Sequence, residues 1–177
     1  MTSTPFVDFT LFMGMHASDE RIRIGCKNTF IQYARSGLRM PLDHVGMCDH
    51  LVWSNPYQIQ AQYYPFMDVL QSTIPMERFY YAKNYVAHQG HIGEGISDDI
   101  SYVLLCNAVR HHQGILYTLL PGSLFSDDMT VVNPDSSVHE ELFDDELETL
   151  YRTSLALTVP TELLTGVHQW KALFHRL

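Results

Sequence analysis

Positive charge is what this sequence has least of. Its 177 residues carry 11 Lys plus Arg against 20 Asp plus Glu, a formal charge of −9. Duplex nucleic acid is held through many cation–phosphate contacts, so a chain without a basic excess has no electrostatic footprint for DNA. Long apolar runs are missing too. None approaches the roughly 18 residues a spanning helix needs, which argues against membrane insertion. Met1 to Phe6 contains no basic segment followed by an apolar one, so no secretory leader is read there and a cytoplasmic address is the expectation. Cysteine is scarce: Cys26, Cys48 and Cys106 lie in apolar stretches without CxxC spacing and read as reduced, buried thiols. No GxSxG elbow, Walker loop, dinucleotide glycine fingerprint or HExxH occurs, and no internal repeat or low-complexity linker.

What is present is a globular composition. Hydrophobic residues make up 46% and charged residues 18%, enough apolar material for one ordinary domain. The acids are unevenly spread. Nine of them fall between Asp127 and Glu148, where there is no Lys or Arg, and the rest of the chain is close to neutral.

Periodicity suggests helices alternating with short apolar strands. Phe6 to Met13 reads as a buried first strand carrying one acid, Asp8. Ser18-Asp19-Glu20 starts a helix that Ser36-Gly37 stops. A strand at Leu38 to Met40 leads into a helix from Pro41 to Trp53, and Asn55-Pro56 opens another through Ser72, which Pro65 is expected to kink or divide. Met76 to Gly90 reads as a brief extended piece followed by a helix. Ser97-Asp98-Asp99 caps a helix with apolar positions Ile100, Val103, Leu104, Cys106 and Val109, ending near Gly114. Strands follow at 115–118 and 129–132, then helices from Val138 to Leu157 and from Pro160 to Leu177. The pattern implies an α/β fold: a three-layer α/β/α sandwich with a largely parallel central sheet plus C-terminal helices. Residues 1–134 form its body, and the acidic segment and C-terminal helices of 135–177 pack on the same domain.

In an open parallel sheet, active residues gather beyond the carboxyl ends of the strands. Asp8, Asp49 and the pair Asp98-Asp99 fall near such positions. Converging carboxylates in a dry cleft need a cation, and hard divalent ions, magnesium or manganese, suit oxygen ligands. The chemistry this implies is metal-activated water attacking a phosphodiester. The plainer reading makes Asp98 or Asp99 a helix cap and Asp49 a solvated surface group. Asp8 is harder to set aside, because an acid among Val7, Phe9, Leu11 and Phe12 demands a partner.

Histidine is abundant, with ten residues. His88, His91 and Glu94 stand three apart before Asp98 and offer an alternative cluster for iron or zinc, against the simpler reading of a solvated loop. His50, next to Asp49, could orient a substrate or cap a turn. The band Tyr57, Tyr63, Tyr64, Phe66, Tyr80, Tyr81 and Tyr85 could stack bases, but core packing or a protein interface explains it more simply.

Three stretches together resemble a PIN-like domain: Phe6-Val7-Asp8-Phe9-Thr10-Leu11-Phe12, Met40 through Asp49, and Ser97-Asp98-Asp99-Ile100 through Thr118. The resemblance covers about residues 5–134. It implies a metal-dependent nuclease fold in which Asp8 is the first acid, Asp49 stands where glutamate is usual, Asp99 or Asp98 opens the later helix, and Thr118 ends the following strand. Thr10 replaces the usual asparagine, and Leu119-Leu120-Pro121 stands where another acid is usual; Asp127 and Asp128 lie further along.

The resulting expectation is a divergent phosphodiesterase acting on single-stranded RNA, with Asp8, Asp49 and Asp99 as catalytic and metal-binding acids, Asp98 as a further ligand, and Thr10, His50 and Thr118 in support. The alternatives are the same fold turned to metal-dependent hydrolysis or oxidation of a small molecule, or a non-catalytic module. In the last case the tyrosine-rich face would take a protein partner or a second copy.

Overall fold

The computed structural model describes residues 5–86 and 96–166. Five parallel strands form one sheet: β1 (Pro5–Val7), β2 (Leu38–Pro41), β3 (Met76–Phe79), β4 (Ile115–Tyr117) and β5 (Thr130–Val132), in the order β3-β2-β1-β4-β5. Phe6 lies opposite Arg39 on one side and Leu116 on the other, and Leu116 lies opposite Val131. Helices flank the sheet and complete a three-layer α/β/α architecture. They are α1 (Phe9–Gly14), α2 (Glu20–Gln32), α3 (Leu42–Trp53), α4 (Tyr57–Thr73), α5 (Lys83–Val86), α6 (Ile100–His111), α7 (Asp145–Ser154) and α8 (Thr161–Thr165). Helix α1 packs against α2, α3 and α8, while α4 packs along α7. No described helix is long and apolar enough to cross a membrane.

The central strand is shorter than its apolar run suggests. Strand β1 ends at Val7, and residues 9–14 form α1, every residue of which is buried. Asp8 makes the switch. Its side chain accepts the Leu11 N–H as a helix N-cap, which ends the strand and starts the helix. A helix apolar on all sides has no 3.6-residue polar stripe, so periodicity alone cannot distinguish it from a buried strand.

Three helix expectations also change. Helix α4 runs unbroken through Pro65. Pro65 and Ala61, four residues back, are both exposed, so the carbonyl that loses its intrahelical donor can face water. The buried side of α6 carries Tyr102, Leu105, Cys106, Asn107, Ala108 and Val109, whereas Ile100 is 65% exposed. The helix read from Val138 begins only at Asp145. The residues before it lie across α2 instead: Asn28 donates to the His139 carbonyl at 2.9 Å and accepts the Glu141 N–H at 2.9 Å. Gly25 permits this approach, because a Cβ there would collide with the Asp135 carbonyl oxygen. Of the final helix, α8 covers 161–165, and the stretch beyond 166 lies outside the described residues.

The acidic stretch is bound to its own domain by charge. Lys27, fully buried on α2, donates to Glu140 at 2.9 Å and contacts Glu148 at 2.7 Å, with its ammonium 4.6 Å from the Tyr151 ring centroid. Arg23 forms a fork on Glu140 at 2.9 and 3.1 Å and donates to the Tyr151 hydroxyl at 2.8 Å. Arg152 adds a third cation at 3.0 Å. Burial alone would raise the Glu140 carboxyl's pKa, but hydrogen bonds from Arg23 and Lys27 and their charges outweigh it and hold it at about 2.

Two outcomes follow. Because the folded-state pKa of Glu140 is depressed, its stabilisation is complete above about pH 4.5 and is lost as pH falls toward about 2. Urea titrations across that window should show wild type losing more stability than Glu140→Gln, which should be weaker at pH 7. Lys27→Met should cost about 3 kcal/mol in the same assay, because it leaves two carboxylates short of a buried partner.

Candidate functional site at the strand-order switch point

The chain builds β1, β2 and β3 outward in one direction and then returns to the other side of β1 with β4 and β5. The carboxyl ends of β1 and β4 therefore meet at the crevice where strand order reverses, the place where open parallel sheets hold ligands. Asp8 follows β1 and Thr118 follows β4, and both are fully buried.

Four donors converge on the Asp8 carboxylate. Oδ1 accepts the Thr10 hydroxyl at 2.7 Å and the Leu11 N–H at 3.0 Å. Oδ2 accepts the Thr118 hydroxyl at 2.6 Å and the Tyr102 phenol at 2.7 Å. Two accepted bonds on each oxygen fill the lone-pair sites of the carboxylate group. Thr10 and Thr118 are 3.2 Å apart, but each has a single hydroxyl proton and gives it to Asp8. Their free lone pairs accept the Leu119 and Leu120 N–H groups, at 3.0 and 3.1 Å, which pins the loop after β4. Asn133 secures it further, donating to the Thr118 and Leu120 carbonyls at 2.7 Å each.

Tyr102 ties the node to the start of α6. Its N–H donates to Asp99, the N-cap, at 3.3 Å while its phenol reaches Asp8. Burial pushes the phenol's pKa well up, and the charge and hydrogen bond of Asp8 push it further, so it stays a donor. The His44 ring lies edge-on to Tyr102 with centroids 5.0 Å apart. His44 Nδ1 accepts the Phe9 N–H at 3.3 Å, and its buried Nε2 has no partner among the described residues. Asp43, the neighbour of His44, accepts the Tyr81 hydroxyl at 3.0 and 3.3 Å.

The acids expected to converge are thus only partly gathered. Asp8 and Asp99 meet through Tyr102. Asp99 spends its side chain on the Ser101 and Tyr102 N–H groups, and Asp98 is exposed beside it. Asp49 faces a different cavity and accepts the Tyr64 hydroxyl at a long 3.5 Å. His50 is half-buried in the next position of α3. Asp128 pairs with Arg110 at 2.9 Å. His88, His91 and Glu94 lie outside the described residues.

A hard cation needs several oxygens with free lone pairs. The Asp8 oxygens already accept four donors, and among the described residues no three His, Cys, Asp or Glu side chains stand close enough to share an ion. In this arrangement the described residues do not fit a magnesium or manganese centre.

Tyr102 and Asn133 were not singled out by sequence reasoning, and Tyr81 was read only as part of the aromatic band. A tyrosine within an apolar helix carries no local mark that its hydroxyl will meet a carboxylate 94 residues away. The tyrosine-rich band does not form one surface. Tyr63, Phe66 and Tyr85 are buried, Tyr64 and Tyr81 are half-buried, and Tyr57 and Tyr80 are exposed.

The family model "Family of unknown function (DUF6190)" matches residues 1–164 of the chain. No curated protein and no solved structure matches the chain.

Removing one donor from the node should leave a buried acceptor unsatisfied. Tyr102→Phe and Thr118→Val should each cost about 1–3 kcal/mol in denaturant unfolding. Asp8→Asn should cost more than either, because its amide nitrogen would face two donors.

Proposed function

The chain belongs to the DUF6190 family, and we propose that it works as a non-catalytic binding module on a PIN-like scaffold, its switch-point carboxylate serving the fold rather than a metal ion. One observation carries this reading: all four hydrogen-bonding positions of Asp8 are taken by neutral donors from β1–α1, α6 and β4. A group so engaged cannot bind an ion without breaking bonds that join three segments. Support comes from the junction of α3 and α4, where Trp53 and Tyr57 are 65% and 78% exposed. Large aromatic side chains standing in solvent are the kind that protein interfaces use.

A second reading is a magnesium- or manganese-dependent phosphodiesterase acting on single-stranded RNA. It is favoured by the placement of Asp8, Thr118 and Asp99 around Tyr102 at the switch point. That activity would require the Tyr102 phenol to withdraw from Asp8.

Calorimetric titration with manganese chloride and magnesium chloride, together with cleavage of labelled single-stranded RNA, tests the first reading against the second. The binding-module reading expects no saturable metal heat and no cleavage above the metal-only control in wild type, Asp99→Asn or Tyr102→Phe. Cleavage by wild type that Asp99→Asn abolishes, or that Tyr102→Phe enhances, would establish the phosphodiesterase instead.

A further inference from the structure

Helices α3 and α4 and strands β2 and β3 enclose a cavity of about 150 Å3. Phe12, Met40, Cys48 and Tyr63 form its buried floor, and Met67 and Met76 its half-buried sides. Asp68 and Arg78 stand exposed at the mouth. A space of roughly 150 Å3 has room for a benzene-sized molecule. Methionine walls adapt to the shape of such a guest.

The cavity also has a sign. Asp49 lines it, half-buried, and its only side-chain hydrogen bond among the described residues is the 3.5 Å contact from Tyr64. That length lies at the limit of a hydrogen bond, so the Asp49 oxygens keep acceptor capacity for a donor that enters the cavity. Its field reaches the walls. Burial first, and the Asp49 charge after it, push the Cys48 thiol and the Tyr63 phenol well up. Tyr63 and Tyr64 both line the cavity, their rings nearly at right angles, 79° apart with centroids 5.6 Å apart, and aromatic rings attract cations. Two carboxylates and one guanidinium border the space, and the group set deeper is a carboxylate.

We propose that this cavity binds a small organic ammonium ion, its hydrocarbon body among Met40, Met67 and Tyr63 and its charged nitrogen on Asp49. A neutral ligand of the same shape would leave the carboxylate unpaired, and an anion would be repelled by it. The site is independent of whether the switch point takes a metal, since none of the four donors to Asp8 is involved.

Benzylamine, benzyl alcohol and benzoate share a ring and differ in charge, so they serve as probes. In calorimetry or ligand-observed NMR at pH 7, wild type should bind benzylamine saturably and at least tenfold more tightly than benzyl alcohol, with benzoate weakest. Asp49→Asn, once circular dichroism shows it folded, should bind amine and alcohol alike. Val45→Trp, which adds bulk to the half-buried lining four residues before Asp49 while leaving the acid in place, should abolish binding of both. Equal affinity of wild type for amine and alcohol, preference for benzoate, or no saturable binding of any probe would overturn the proposal without recourse to either variant. The manganese and RNA measurements read a different site and fail or succeed separately.

Discussion

A single buried carboxylate holds the centre of this molecule together. Asp8 ends the middle strand, caps the helix that follows, and receives hydroxyls from residues 94 and 110 positions further along the chain. Burying an unpaired carboxylate costs far more than any single contact returns, so its four donors must all be in place at once. That requirement sets the register between β1 and β4, fixes the depth at which α6 packs, and holds the loop after Thr118 through the lone pairs the threonines have left over. The site where a parallel sheet commonly holds a ligand is here filled by the protein's own hydroxyl groups.

A second buried charge, on α2, performs the same office for the acidic stretch. Lys27 has no access to water, and the partners that allow this are Glu140 and Glu148 from the acidic stretch. Three cations surround a single oxygen of Glu140, and with the Lys27–Glu148 pair they anchor the acidic run to α2 and α7. The cost of isolating either buried charge gives both clusters their all-or-none character.

Much of the architecture was legible in local pattern. Alternating helices and short apolar strands indicated a parallel α/β sheet, and the caps at Asp19 and Asp99 lie where the Ser-Asp-Glu and Ser-Asp-Asp runs placed them. The demand that Asp8 have a partner was also legible, since Val7, Phe9, Leu11 and Phe12 around it are apolar. The partner's nature was not. A cation and a set of hydroxyls satisfy the same carboxylate, and residues up to 110 positions distant decide between them. Other misreadings have equally physical causes. Helix α1 is buried on every side and so loses the polar stripe that would identify it, and Glu140 looks helical among acids until Arg23 and Lys27 draw it out across α2.

The sequence by itself determined the fold class, the presence of an acid buried among apolar residues beside the first strand, and the local starts of two helices, because spacing and caps act over a few residues and need no knowledge of what packs against them. The tertiary structure alone decided that Tyr102, Thr10 and Thr118 would meet Asp8, that Asp49 would turn to a separate cavity, and that the acidic run would fold back onto Lys27. Each of these depends on how distant segments are registered across packed layers, and a hydrogen bond lost over a few tenths of an ångström has no counterpart in the linear pattern.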